Sequence, residues 1–343
     1  MSARRKKGKK KRSRPQRLSL RAAAVLSALF AVYAAVSVWF VHHPRKWLDS
    51  YWESWPRAVT VPLFWAGNHI GDITDALGVT GHDAVYEYDI EAPAGKVLFA
   101  GAPKRTGGKA PSDIVILDRG EFIVGWSPSL RHPVWCAYHV VNEVRHPDGE
   151  RPNFSKDRSA PNSPAAGAYA SSGYDRGHMV PNHAIVSRYG TEAQKLTFLM
   201  SNIAPQTPSL NRGVWRDVEH RIADLWTARY GEIWVIVGCI PGTSGETVTG
   251  TDIDVPDGFY QLIVAQEGMN VRALAVIFGQ EVSWREWAAR NLISIDELEE
   301  LTGFDFLPEL DSFIQDKLEA ELPSRLWPVR SRDIIKQILM RFD

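Results

Sequence analysis

The sequence predicts an α+β fold in which a mixed, mainly antiparallel central sheet carries flanking helices and follows one N-terminal transmembrane helix. Three observations support this fold class. Short apolar runs bounded by turn residues recur after residue 96, as strands do. Residues 208–230 repeat their apolar positions with helical spacing. Residues 22–41 form an apolar run without any charged side chain. A chain of 343 residues suits one large domain with appendages, or two small domains.

The N-terminus predicts a membrane anchor. Residues 1–21 form a basic tail with eleven lysines and arginines and no acidic residue. The twenty residues of 22–41 span about 30 Å as a helix, which is the thickness of the bilayer core. The basic flank predicts a cytoplasmic N-terminus, hence a single-pass protein of the cell (inner) membrane whose later residues face the extracytoplasmic or periplasmic side.

Two other interpretations explain this N-terminus less well. A cleaved signal peptide has an apolar region of about 7–15 residues and a small-residue cleavage site, whereas this run is longer and ends in Trp39-Phe40-Val41. A basic nuclear or nucleic-acid-binding tail does not explain the apolar run beside it. The uncleaved anchor is therefore the favoured interpretation.

The rest of the chain is acidic. Beyond residue 21, 29 basic residues face 40 acidic residues, so the net charge there is −11. An anion-binding site must therefore be local, because the surface as a whole does not attract polyanions. The two cysteines, Cys136 and Cys239, stand in apolar strand-like runs without metal-type spacing. The sequence leaves a disulfide and two buried thiols equally open.

Residues 42–95 form a Trp-rich juxtamembrane region that we predict to be helical, with a helix-like pattern at 60–78. Its tryptophans suit either an interfacial collar against lipid headgroups or the packing of a small subdomain onto the main domain. The main domain is predicted to cover residues 96–310, and residues 311–343 are predicted to form a C-terminal helical extension.

Within the main domain, turn-bounded apolar runs predict strands at 97–101, 113–120, 121–127, 135–141, 196–206 with its exit loop, 232–240, 258–266 and 272–279. Glu267-Gly268 predicts a tight turn between the last two strands. Helices are predicted from Gly190 to about Lys195, over 208–230, and from a capping box at Ser294 and Glu297 to Gly303. Residues 145–173 predict a long loop, and long loops often carry function.

The segment Asp175-Arg176-Gly177-His178-Met179 is the most informative part of the sequence. On an extended strand, Arg176 and His178 face the same side, because alternate residues do. A guanidinium holds a phosphate, and a neutral imidazole takes a proton from water. Asp175 is interpreted as a hydrogen-bond acceptor that shapes the turn, and Met179 as a packed residue beneath it.

A second group lies on the predicted helix 208–230. Asn211, Trp215 and Glu219 are spaced at i, i+4 and i+8, so they share one face. Magnesium prefers oxygen ligands and keeps several waters, so one amide oxygen suffices to hold it while a nearby carboxylate binds those waters. Trp215 is interpreted as a core residue.

Three ordered blocks resemble one family. Asp175-Arg176-Gly177-His178, then 201–206 (SNIAPQ), then Asn211-x3-Trp215-x3-Glu219 resemble the DNA/RNA non-specific endonucleases, which are magnesium-dependent ββα-metal (His-Me finger) enzymes and include endonuclease G. The segments 255–260 and 298–306 are similar to that family's C-terminal half. The resemblance covers roughly 95–310 and implies a ββα-metal finger active site.

The resemblance also implies a role for each matching residue. His178 becomes the general base that activates water, and Arg176 neutralises the phosphate. Asn211 becomes the direct ligand to Mg²⁺, and Glu219 binds the waters of that metal. Asn202 helps to orient the site. The sequence leaves Mn²⁺ open as a substitute for Mg²⁺.

Similar enzymes also use an arginine from an upstream loop. Arg158 is the first candidate in this sequence and Arg145 is the second.

The sequence thus predicts a membrane-anchored, metal-dependent, sugar-non-specific endonuclease with DNA and RNA as substrates. Two alternatives remain open at this point: a phosphodiesterase of the same fold with another substrate, and a catalytically inactive module that binds nucleic acid or envelope material. The sequence leaves the oligomeric state open between monomer and homodimer, and it identifies no inhibitor protein.

Overall fold

A computed structural model of the chain describes residues 31–32, 86–87, 97–145, 150–267, 270–284, 286–327 and 329. The predicted basic tail, most of the predicted membrane helix, most of region 42–95 with its helix-like pattern, and the end of the C-terminal extension lie outside these residues. Among the residues that are described, no helix is both long and apolar enough to cross a bilayer. The anchor at 22–41 therefore stays a prediction.

An antiparallel sheet forms the centre of the described part of the chain. The strands are Tyr86–Glu87 (β1), Lys104–Arg105 (β2), Val115–Asp118 (β3), Phe122–Ser127 (β4), His132–Val141 (β5), Asp175–His178 (β6), Ile203–Gln206 (β7), Glu232–Ile240 (β8), Gly258–Glu267 (β9), Asn270–Gly279 (β10), Leu292–Ile293 (β11) and Phe304–Asp305 (β12). The sheet runs β1-β10-β9-β8-β5-β4-β3 with β11 on β10, while β6–β7 and β2–β12 form separate antiparallel pairs.

The helices flank this sheet. They are Asn182–Tyr189 (α1), Thr191–Thr197 (α2), the stretch 208–230 (α3), Ile295–Thr302 (α4) and Ser312–Ala320 (α5), with short 3-10 turns at Ala166–Tyr169, Met200–Asn202 and Ala288–Asn291. Stretch α3 consists of the consecutive segments Pro208–Leu210, Asn211–Trp215, Arg216–His220, Arg221–Trp226 and Thr227–Tyr230. Its backbone breaks at Gly213, whose φ of −101° and ψ of −120° are not helical.

The core lies on both faces of the sheet. Because strand side chains alternate between faces, Val235 of β8 points to the layer that contains Val218 and Ile222 of α3. The next residue, Ile236, points to the other layer, which contains Leu298 of α4. Strand β8 is therefore apolar at nearly every position, and the structure has three layers with helices above and below the sheet.

Several predicted elements are confirmed. Strand β8 has the predicted bounds, and β9 and β10 pair along their whole lengths as the predicted hairpin. Ser294 Oγ accepts a hydrogen bond from the Glu297 backbone N–H at 3.2 Å, as in the predicted capping box. Helix α4 ends at Gly303, which has a φ of 74° in the left-handed region that glycine favours.

Other predictions were wrong. Residues 97–101 bend instead of forming a strand, because Ala100 and Gly101 have φ values of 60° and 92° that no extended strand allows. In the predicted strand 196–206, only the last four residues form a strand, since α2 and a 3-10 turn occupy most of the others and Leu199 forms an isolated bridge with Ser155. Helix α1 was not predicted; it is eight residues long and no side chain caps its start.

Strand β1 qualifies the prediction for region 42–95. Its two residues are the part of that region that the structure describes, and they pair with Val271 and Asn270 at the edge of β10. Part of the juxtamembrane region thus extends the central sheet.

Candidate active site

Arg176, His178, Asn211 and Glu219 line one cavity of about 680 Å³. The walls come from β6, α1, α3 and the loop that precedes β6. The charged and polar residues of the lining are Arg151, Arg176, Asn182, His183, His178, Asn211, Arg212, Arg216, Asp217, Glu219, His220 and Asp224. Four arginines stand among them, so this cavity supplies the local cationic surface that the acidic chain requires.

Strand β6 brings His178 to the cavity through its pairing with β7. Gly177 lies opposite Ala204 and His178 lies opposite Ile203. A Cβ atom at Gly177 would overlap the side-chain amide of Gln206. Glycine is therefore required between Arg176 and His178 if the two strands are to stay paired.

The imidazole of His178 stands between two aromatic rings. Its centroid is 5.2 Å from that of Phe154 and 5.0 Å from that of Phe198. Its Nε2 atom is buried and has no hydrogen-bond partner among the described residues. Burial, together with the positive charges of Arg151 and Arg176, lowers the pKa of His178 to about 3. The imidazole is therefore neutral at pH 7, which is the form that accepts a proton.

The same rings carry the two guanidinium groups. The Arg176 Cζ atom lies 4.3 Å from the centre of the Phe154 ring, and the Arg151 Cζ atom lies 5.2 Å from the centre of the Phe198 ring. Arg176 and His178 thus share one side of β6, as their spacing predicts. The backbone of Ser155 bonds that of Phe198 at 3.1 Å and so fixes the loop that carries Arg151.

The structure does not support the predicted upstream arginine. Arg158 is exposed, and neither it nor Arg145 lines the cavity, whereas Arg151 does. All three belong to the stretch 145–173 that was predicted to be a functional loop. Sequence reasoning missed Arg151 because an irregular loop has no periodicity that tells which side chain points inward.

Asn211 is held by a carboxylate from the opposite wall. Its Nδ2 donates to Asp175 Oδ2 at 2.9 Å, and Arg212 donates to both oxygens of Asp175 at 2.7 Å and 2.5 Å. Burial alone would raise the pKa of Asp175, but these hydrogen bonds outweigh it and lower that pKa. Asp175 is thus a fixed acceptor, as interpreted from the sequence. Because the amide N–H of Asn211 donates to Asp175, its Oδ1 atom is the atom that remains as a possible oxygen ligand.

Glu219 forms the other part of the oxygen-donor set. Burial raises the pKa of Glu219 to about 8, against opposing effects of the Trp215 indole and the Arg216 guanidinium. A nearby cation favours the charged form of a carboxylate that is buried in this way. Asn211 and Glu219 provide oxygen donors alone, which is what Mg²⁺ prefers, so these residues fit the implied metal. Trp215 is 1% exposed and packs on Phe259, so it is a core residue.

Asn202 acts one layer behind the cavity. It is fully buried and does not line the cavity. Its Oδ1 accepts from the Val180 N–H at 2.9 Å, and its Nδ2 donates to the carbonyls of Val180 and Thr197 at 3.0 Å each. Asn202 therefore holds the chain just after His178 in place, so it is a positioning residue.

A pair of histidines on the cavity wall was not predicted. His183 Nε2 is 3.1 Å from both oxygens of Asp224, and His220 Nδ1 is 2.8 Å from its Oδ2. Although burial opposes the change, these contacts lower the pKa of Asp224. The sequence leaves His220 unassigned, and it favours for His183 either a role in supporting the site from behind or a role in packing the loop. One turn of α3 separates His220 from Asp224, but nothing local indicates that α1 brings His183 to the same carboxylate.

Comparisons with known proteins agree with this geometry. A family model described as DNA/RNA non-specific endonuclease matches residues 103–313. A nuclease of Nostoc sp. is 28% identical over 239 residues, which cover 66% of this chain and 85% of that protein. Bovine mitochondrial endonuclease G is 24% identical over 258 residues, covering 64% of this chain and 80% of that protein.

Human mitochondrial nuclease EXOG is 29% identical over 208 residues, and the match covers 55% of each chain. This chain thus spans about half the length of the EXOG relative. Among solved structures, EndoG from the EndoG/EndoGI complex superposes with a TM-score of 0.51 and 22% identity over 57% of this chain and 86% of that one. This likeness confirms the α+β fold with a central antiparallel sheet. The chain belongs to the DNA/RNA non-specific endonuclease family.

Proposed function

We propose that this protein is a metal-dependent endonuclease that hydrolyses phosphodiester bonds in DNA and RNA without sequence preference. One observation carries the proposal: a neutral imidazole between two guanidinium groups faces the same cavity as the oxygen donors of Asn211 and Glu219. The names of the relatives, which are nucleases, support the same activity.

The chain's own residues account for binding and proton transfer. Arg151 and Arg176 bind the scissile phosphate, and His178 takes the proton of the attacking water as its oxygen forms a bond to phosphorus and the bond to the leaving 3′-oxygen breaks. The phosphate also compensates the two guanidinium charges. Because these charges contribute to the low pKa of His178, substrate binding raises that pKa from about 3 toward its ordinary value and makes the imidazole a better base.

The metal belongs to the other side of the cavity. Asn211 Oδ1 would hold Mg²⁺, or Mn²⁺ in its place, and Glu219 would bind the waters on it. Held there, the cation would supply positive charge for the phosphate and for the leaving oxygen. Asp175 keeps the amide of Asn211 in the orientation that this role needs.

Weak sequence preference follows from the chemistry of the contacts. Arginine contacts to phosphate carry no information about the bases. The chain beyond residue 21 has a net charge of −11, so its attraction to nucleic acid depends on the cavity arginines and weakens as salt is added.

The cellular setting belongs to the same proposal. The basic tail 1–21 and the apolar run 22–41 support a single-pass anchor in the cell membrane with the catalytic domain on the extracytoplasmic or periplasmic side. An inactive binding module is the weaker alternative, since binding alone does not need a base such as His178 beside a metal-binding pair.

The activity is tested with plasmid DNA and RNA as substrates for the full chain, with Mg²⁺ or with EDTA. We expect Mg²⁺-dependent cutting of both, and His178→Ala is expected to lower kcat by about 10²–10⁴-fold because the general base is lost. His139→Gln is the matched control, since His139 stacks on Trp234 outside the cavity. Binding of nucleic acid without cutting would contradict the proposal, and hydrolysis of small diesters alone would favour a phosphodiesterase.

The upstream arginine is tested by comparing Arg151→Ala with Arg158→Ala, which remove the same charge from the same loop. Loss of a charge-assisted hydrogen bond to phosphate costs about 1.5–3 kcal/mol, so Arg151→Ala is expected to lower kcat/KM by roughly ten- to a hundredfold. Arg158→Ala is expected to change it by less than about twofold. A larger loss of kcat/KM in Arg158→Ala than in Arg151→Ala would instead support Arg158 as the upstream arginine.

The low pKa of His178 predicts a pH dependence of stability. The unfolded chain binds a proton at His178 below about pH 6.5, whereas the folded chain does so only near pH 3. The stabilisation present above pH 6.5 is therefore lost as the pH falls toward 3. Between pH 7.5 and pH 5, the free energy of unfolding measured with urea is expected to fall by about 2 kcal/mol more for the wild-type chain than for His178→Gln. Parallel losses in the two proteins would mean that the pKa of His178 is not lowered.

The membrane topology is tested with alkaline phosphatase fused at either end of the chain. This reporter is active outside the cytoplasm. We expect an active C-terminal fusion, an inactive N-terminal fusion, and both in the membrane fraction. Deletion of residues 22–41 is expected to release the protein from that fraction. A cytoplasmic C-terminus would overturn the proposed localisation.

A further inference from the structure

Three carboxylates meet where helices α4 and α5 approach each other. Asp296 and Glu299 belong to α4, and Glu319 belongs to α5. Each contributes one oxygen atom, and these atoms all lie within 4.8 Å of one another. Helix α4 packs through Leu298 into the layer of the core that does not contain α3, so the cluster is separate from the candidate active site.

Glu319 is the unusual member of this cluster. The residue is only 5% exposed, and its Oε1 atom is buried without a hydrogen-bond partner among the described residues. A buried carboxylate oxygen without a partner destabilises the folded chain. Glu299 differs, because its Oε1 accepts a hydrogen bond from the Phe306 N–H at 2.7 Å.

No described lysine or arginine compensates the cluster within 4.0 Å. Two lysines near these helices have other contacts: Lys317 lies over the Phe313 ring at 3.9 Å, and Lys109 Nζ donates to the Glu300 carbonyl. Burial and the neighbouring carboxylates raise the pKa of Glu319 to about 8 and that of Glu299 to about 7. Among the described residues, the three acidic groups thus lie together without an ion-pair partner of opposite charge.

A hard divalent cation satisfies such a group. Calcium takes oxygen ligands at 2.3–2.6 Å, so two ligands on opposite sides of one ion are up to about 5 Å apart, and magnesium ligands lie somewhat closer together. Oxygens within 4.8 Å of one another therefore suit ligands of a single ion. Waters would complete the coordination shell, as they commonly do for both metals.

We propose that Asp296, Glu299 and Glu319 form a second cation site, which binds Ca²⁺ or Mg²⁺ and joins α5 to α4. Its role is structural, because it lies apart from the cavity that contains His178. Glu319 is beyond the segment 103–313 that matches the family model, so the cation would attach the C-terminal helix to the family domain through a residue of this chain's own extension. The proposal does not depend on nuclease activity.

The test measures thermal unfolding and calorimetric binding with the full chain after EDTA treatment and dialysis, with Ca²⁺ or Mg²⁺ as the only added ligand. All variants carry Asn211→Ala, which removes the direct ligand of the proposed active-site metal. We expect the ion to raise Tm by several degrees and to bind with a stoichiometry of about one. The ion that gives the larger Tm rise and the tighter binding, Ca²⁺ or Mg²⁺, is the preferred ion.

Glu319→Gln is the deciding variant, because it keeps the shape of the side chain and removes its charge. We expect it to abolish both the Tm rise and the binding. Asp316→Asn is the matched control: it removes the same charge from an exposed position of α5 and is expected to keep both responses.

Two results would overturn the site. One is the absence of any ion-dependent Tm rise in the Asn211→Ala background. The other is a rise that persists unchanged in Glu319→Gln. If Glu319→Gln raises Tm without metal and the ion has no effect on either protein, the carboxyl groups share protons and bind no cation.

Discussion

The carboxylate of Asp175 connects the two halves of the candidate active site. It accepts hydrogen bonds from Asn211 and Arg212 at the start of α3, while its own strand carries Arg176 and His178. The proposed base, His178, and the proposed metal ligand, Asn211, come from segments more than thirty residues apart, and this contact joins the two segments. The helix breaks at Gly213, two residues after Asn211. The first turn of α3 therefore faces β6, while the later turns pack on the sheet.

Burial shifts the pKa values of His178 and Glu219 in opposite directions for one physical reason. It disfavours the charged form of each, so the pKa of His178 falls to about 3 and that of Glu219 rises to about 8. Both groups are therefore neutral at pH 7 in the free protein. Binding of an anionic phosphate would raise the pKa of His178 and make it a stronger base, and a divalent cation would favour the ionised form of Glu219.

The sheet provides the rigid support for these groups. Strands β5, β8 and β9 are buried on both faces, so α3 is fixed against one layer and α4 against the other. The two proposed cation sites therefore lie on helices of opposite layers. The first serves the chemistry of the cavity, and the second holds the C-terminal helix where the chain beyond the family domain begins.

The sequence by itself determined the features that depend on local geometry. Strand spacing placed Arg176 beside His178, and apolar runs marked β8 to β10, because these relations follow from the repeat of one element. Asn211 and Glu219 line the same cavity from either side of the helix break at Gly213, so helix spacing alone did not place them. The tertiary structure alone decided which loop arginine reaches the cavity, that His183 joins Asp224, and that Glu319 meets Asp296. Such contacts join residues from different elements, so they are set by how helices and loops pack onto the sheet, and no periodicity in the chain encodes them.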